Sequence, residues 1–124
     1  MVKRIFIVDD EQPLADTLVA ILRRAGYETS GFYNAQSALE KIDSCCPELV
    51  ISDVVMPGMS GVEMAVLIRE RHPKCKILLF SGNAATMDLL KQVREKGYDF
   101  ELLGKPLHPT DLLAWIASLK LPGF

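Results

Sequence analysis

Three short, almost wholly apolar runs in this chain each end on an oxygen-bearing side chain. Ile5-Phe6-Ile7-Val8 runs into Asp9-Asp10, Leu49-Val50-Ile51-Ser52 into Asp53, and Ile77-Leu78-Leu79-Phe80 into Ser81. Short runs without polar alternation suit strands covered on both faces, and such strands belong to parallel sheets. A fourth segment, Phe100 to Gly104, leads into Lys105-Pro106. In an open parallel sheet the carboxyl ends of the strands share one edge, and ligands bind in the crevice there. The pattern therefore predicts that three carboxylates, a hydroxyl and an ammonium meet on one patch.

Segments of helical period separate the runs. Pro13 suits a first helical position, and Leu14, Leu18, Ile21, Leu22 and Ala25 form a stripe that Gly26 ends. Tyr27 to Phe32 reads as a more polar strand, placed at a sheet edge. Asn34 can cap a helix carrying Ala38, Leu39 and Ile42, which stops before Pro47. Ser60 caps another with Met64, Leu67, Ile68 and Arg71. Met87, Leu90 and Val93 mark a fourth, closed by Gly97. Pro109 and Thr110 open a fifth with Leu112, Leu113, Trp115, Ile116 and Leu119, ended by Pro122-Gly123. The alternation βαβαβαβαβα calls for an α/β fold, a mostly parallel five-stranded sheet with helices on both faces.

A length of 124 residues fits one domain. The net charge of -2 leaves no basic footprint, so direct nucleic-acid binding is not expected. No apolar run approaches the roughly 20 residues of a membrane span, and the stretch after Lys3-Arg4 is too short for a signal-peptide core. A cytoplasmic location is expected. Cys45, Cys46 and Cys75 form no CxxC pattern and read as reduced, partly buried small hydrophobes. His72, at a helix end before Pro73, and His108, at the start of the last helix, lack metal-ligand spacing.

Asp9 and Asp10 alone would mark an ordinary solvated turn. Asp53, following a second buried strand, changes the balance. Like charges about 4 Å apart repel by about 4 kcal/mol at a surface-like dielectric, so such a cluster raises a pKa or holds a cation. Three carboxylates and a loop carbonyl match the all-oxygen shell of Mg²⁺. Lys105 can pair with Asp53 and stabilise charge on a phosphoryl oxygen, and Ser81 can donate to another. An aspartate nucleophile, Mg²⁺, a lysine and a hydroxyl make a phosphoryl-transfer site whose product is an acyl phosphate.

Four stretches carry a resemblance that spans nearly the whole chain: Val8-Asp9-Asp10-Glu11, Asp53-Val54-Val55-Met56-Pro57-Gly58-Met59-Ser60-Gly61, Phe80-Ser81-Gly82 and Lys105-Pro106. In that order and spacing the chain resembles a response-regulator receiver domain of two-component signalling. The resemblance implies a flavodoxin-like, doubly wound sheet of strand order 2-1-3-4-5 and a single receiver domain over residues 1–124 without an output domain. It makes Asp53 the phosphoacceptor. Asp10, Asp53 and the Val55 carbonyl would ligate Mg²⁺, with Asp9 assisting through water. Ser81 would be the switch hydroxyl and Lys105 the active-site lysine, followed by a cis peptide at Pro106. The implied partners are a sensor histidine kinase or phosphotransfer protein and a downstream protein target, with no nucleic acid or membrane. Such a protein catalyses only its own phosphorylation and dephosphorylation.

Some positions depart from the family pattern. Leu102 stands where the family usually has a switch Tyr or Phe, with Phe100 the nearest aromatic. Leu107 replaces a common Phe after Lys-Pro. Val55 and Asn83, two residues beyond Asp53 and Ser81, occupy positions that govern dephosphorylation, and Val55 offers no group to orient water. The resemblance places the interaction face on the fourth helix, fifth strand and fifth helix, where Lys91, Arg94 and Lys96 make a basic side. Two related folds fit less well. Asp9-Asp10-Glu11 would repel the phosphate of a flavodoxin cofactor, and Gln12 and Glu11 do not supply the second aspartate of a haloacid-dehalogenase phosphatase. The remaining alternative is a receiver-like interaction module that works without phosphorylation.

Overall fold

A computed structural model describes residues 4–82, 85–104 and 108–118. The elements alternate as β1 (Arg4–Val8), α1 (Gln12–Arg24), β2 (Glu28–Phe32), α2 (Ala35–Ser44), β3 (Leu49–Asp53), α3 (Gly61–Arg71), β4 (Lys76–Ser81), α4 (Ala85–Glu95), β5 (Glu101–Gly104) and α5 (Pro109–Ser118). All strand pairs are parallel, in the order β2-β1-β3-β4-β5. The apolar runs β1, β3 and β4 are the inner strands and the more polar β2 is an edge, as their sequences require.

Successive side chains of a strand point to opposite faces, so an unbroken apolar run feeds two cores. Phe6, Val8, Val50, Ile77 and Leu79 pack with Ala38, Ile42, Met64, Ile68 and Leu90 of α2, α3 and α4. Ile5, Ile7, Leu49, Ile51, Leu78 and Phe80 pack with Leu18, Leu22, Leu112 and Ile116 of α1 and α5. Among the described residues no helix is long and apolar enough to cross a membrane.

The predicted caps form: Asn34 Oδ1 accepts the Ser37 N–H at 2.8 Å, and Ser60 Oγ accepts the Glu63 N–H at 3.1 Å. Several predicted boundaries move. The Tyr27 N–H donates to the Leu22 carbonyl at 3.1 Å, so its backbone closes α1 and β2 begins at Glu28. The β4–β5 ladder begins at Leu78↔Glu101, one residue after Phe100. The buried stripe of α1 is Ala15, Leu18, Val19 and Leu22, whereas Ala25 is exposed, because the helix stops at Arg24 and turns away at Gly26 with φ +102°. Met87 is also exposed, and Leu90 anchors α4 instead. Leu119 and Pro122-Gly123 lie outside the described residues.

Candidate functional site: an acidic cluster at the strand ends

Register fixes which side chains meet. Val8 pairs with Ser52, Asp53 with Phe80, and Ser81 with Gly104, so β1, β3, β4 and β5 end at one edge of the sheet. Asp9 leaves β1 fully buried, its N–H donating to the Phe32 carbonyl at 3.0 Å. Its Oδ1 accepts the Glu11 N–H at 2.9 Å, which shapes the turn into α1. Asp10 is exposed, while Asp53 is only 5 % exposed at the last position of β3. One carboxylate oxygen from each of Asp9, Asp10 and Asp53 lies within 4.8 Å of the others. At such separations mutual repulsion amounts to several kcal/mol, about 4 per pair at an effective dielectric of 20, which a divalent cation relieves. The hard, all-oxygen donor set suits Mg²⁺.

The loop after Asp53 is held on its backbone. Val54 N–H donates to the Phe80 carbonyl at 3.2 Å, and Val55 N–H reaches Asp53 Oδ1 at 3.4 Å, a long contact. The Val55 side chain is 51 % exposed beside the cluster. Gly61, the first residue of α3, donates its N–H to the Val54 carbonyl at 2.8 Å. A Cβ there would meet the Asp53 carbonyl oxygen at 2.0 Å, and Ser52 Oγ, fully buried, donates to that same oxygen at 2.8 Å. Gly61 and Ser52 thus set the backbone of Asp53, a role the sequence reading did not assign. The available signal was a glycine straight after a capping serine, where a helix gains nothing from it.

Ser81 closes β4 at 9 % exposure, one residue beyond the Asp53↔Phe80 pair. Leu102 pairs with Leu79 on β5, half-buried against the α2–α3–α4 side of the sheet. Phe100 is buried on that side, with the Arg69 guanidinium 5.3 Å from its ring centroid and the Tyr98 ring stacked at 6.4 Å. Tyr98 in turn donates to Glu70 at 2.6 Å. The readings for Asn83, Lys105, cis-Pro106 and Leu107 lie outside the described residues.

The fold and site define a class, the doubly wound α/β domains with an acidic pocket at the carboxyl edge of the sheet. Residues 5–117 match the response regulator receiver domain, and the chain belongs to that family of two-component signalling domains. It is 35 % identical to the response regulator receiver protein CpdR of Brucella abortus, over 96 % of this chain and 98 % of that protein. Identity to the regulatory protein VanR of Enterococcus faecium is 32 %, over 95 % of this chain but only 50 % of VanR. Among solved structures, a CheY-like receiver domain from Methanospirillum hungatei superimposes with a TM-score of 0.85 at 29 % identity, covering 94 % of this chain and 92 % of that one. The chemotaxis response regulator CheY4 of Vibrio cholerae gives 0.81 at 26 % identity, covering 94 % and 98 %.

Proposed function

We propose that this receiver domain is a phosphoacceptor switch in which Asp53 takes a phosphoryl group from the phosphohistidine of a sensor histidine kinase or phosphotransfer protein. The observation that carries the proposal is the convergence of Asp9, Asp10 and Asp53 at the sheet edge. An Asp53 carboxylate oxygen attacks phosphorus in line, the P–N bond breaks, and the donor imidazole leaves. Asp53, Asp10 and the Val55 carbonyl, with Asp9 behind them, would hold Mg²⁺. When bound, the ion supplies positive charge to the phosphoryl oxygens. Ser81 and Lys105 are assigned the remaining contacts, a donated hydrogen bond and an opposing charge. Burial of Asp53 limits the conformations of the nucleophile before the donor arrives.

The acyl phosphate then acts by favouring one of two packings of the Ser81 loop and α4. The readout is assigned to α4, β5 and α5, where Lys91 and Arg94 of α4 are exposed beside Lys96. A recess of about 280 Å³ between α4 and β5, lined in part by Leu90, Phe100 and Leu102, gives that face relief for a protein partner. The proposal places the reaction in the cytoplasm, with no reaction on any other substrate.

The test is intact mass after incubation with acetyl phosphate and Mg²⁺. One phosphoryl group should add to the native protein, none should add with EDTA present, and none to Asp53→Asn. No mass gain under any condition would leave the chain an interaction module that works without phosphorylation.

A further inference from the structure

As crossovers between the parallel strands β3, β4 and β5, α3 and α4 run side by side in the same direction on one face of the sheet. A groove of about 490 Å³ lies between them. Its α3 wall is Glu63, Val66, Leu67 and Glu70, which fall at i, i+3, i+4 and i+7 and so share one helix face. Leu89, Val93 and Lys96 repeat the i, i+4, i+7 spacing from α4. Val66, Leu67 and Val93 are only partly buried and Leu89 is exposed, so apolar surface of both helices opens to solvent along the groove.

The charges along this groove are unevenly placed. Both charged groups of the α3 wall are exposed acids, two turns apart and about 10 Å along the axis. Among the described residues Glu63 makes no side-chain ion pair, and Lys96, just past α4, is the only cation lining the groove. Glu70 accepts the Tyr98 hydroxyl at 2.6 Å, a neutral donor that does not offset its charge. We propose that the groove seats an amphipathic helix of a partner protein. The apolar stripe of that helix lies on Val66, Leu67, Leu89 and Val93, and two of its lysines or arginines, seven residues apart, meet Glu63 and Glu70.

Two neighbouring helices offer a third a groove for its side-chain ridge, and the guest's anchors recur at the same three-to-four spacing as the walls. The acidic pair selects basic guests over acidic ones. It also works against a second copy of this chain, since α3 laid antiparallel on its own copy would set Glu63 of each chain against Glu70 of the other. This seat and the recess beside β5 use different side chains of α4, Leu89 and Val93 here, Leu90 and Arg94 there. The inference is independent of whether Asp53 accepts phosphate.

The probe is an alanine-based helical peptide of about 18 residues, long enough to hold a helix in water, with a leucine stripe flanked by two lysines seven residues apart. Titrated into the ¹⁵N-labelled full chain, it should move the amide resonances of residues 63–70 and 89–96 saturably, and less so as salt rises. The same peptide with glutamates for the lysines should bind several-fold more weakly. Leu89→Ala and Glu63→Gln, both at exposed positions, should each weaken binding of the basic peptide several-fold. Glu40→Gln, which removes the same charge from the exposed side of α2, should bind it like the native chain. The absence of saturable shifts, equal affinity for the two peptides, or shifts centred on β5 and α5 would each overturn the inference. So would an equal loss in Glu40→Gln, or sedimentation showing that a second copy of the chain occupies the groove.

Discussion

The contact between Gly61 and the Asp53 carbonyl leaves no room for a methyl group. Gly61→Ala must push α3 or the end of β3 aside, and overpacking of this kind costs about 1–3 kcal/mol. The displaced group is the backbone of the proposed nucleophile, so phosphoryl uptake should fall further than the stability loss explains. Uptake from acetyl phosphate, compared with a urea midpoint, checks this; full uptake with a lowered midpoint would make Gly61 a packing residue only. Val55 offers the converse case, since its exposed side chain stands beside Asp53 and can neither hold nor orient a water. Val55→Asn should leave stability within about 0.5 kcal/mol, as exposed substitutions do, and shorten the life of the acyl phosphate several-fold. The decay of phosphoprotein mass with time measures it, and an unchanged decay rate would remove Val55 from the hydrolysis step. Carboxylates at strand ends were legible in the sequence because buried strands announce their ends. The part played by Gly61 was not, because it arises from two segments approaching in space.

At the scale of elements, α2 and α3 are linked at their carboxyl ends. Asp43 accepts from Arg71 at 2.9 Å and contacts His72 Nε2 at 2.8 Å. An acid near the end of α2 opposes the helix dipole, and the Arg71 guanidinium at the end of α3 offsets that. The hydrogen bond to His72 is the main cause that holds the Asp43 carboxyl below its ordinary value; desolvation opposes it, and the charge of Arg71 adds to the lowering. A lowered folded-state pKa contributes stability present above the unfolded value near 4 and lost as pH falls through the lowered one. Asp43→Asn should therefore lower the melting temperature at pH 7 more than at pH 3, by a small amount because the groups are exposed. Equal shifts at both pH values would show that the pair does not matter. Helix caps were readable at Asn34 and Ser60 because a capping side chain acts within three residues of itself. The edges of β2 and β5 were not, since Tyr27 and Phe100 look like strand residues and only the ladder and the closing turn of α1 exclude them.

Across the whole molecule, burial is uneven in a way that bears on switching. The inner strands are closed on both faces, and α1, α2 and α3 each set several residues into a core. By contrast, α4 holds Leu90 at 4 % exposure and Val93 partly, while Met87 and Leu89 face outward at 58 % and 36 %. An element whose described side chains bury little apolar area opens or shifts at low cost. It also follows directly on the Ser81 end of β4, so a change at the acidic cluster has a short path to it. Phe100, which lines the recess beside α4, is clamped by Arg69 and Tyr98, and Leu102 has no ring to exchange between inside and outside. Movement of α4 itself, rather than rotation of an aromatic, is then the route the packing favours. Hydrogen exchange with and without beryllofluoride and Mg²⁺ should show altered protection concentrated in residues 85–104, with β1 and β3 unchanged. Arg69→Ala, which loosens the clamp on Phe100, should leave that response in place. Protection spread evenly over all five helices, or a response lost in Arg69→Ala, would instead place the switch in the aromatic cluster.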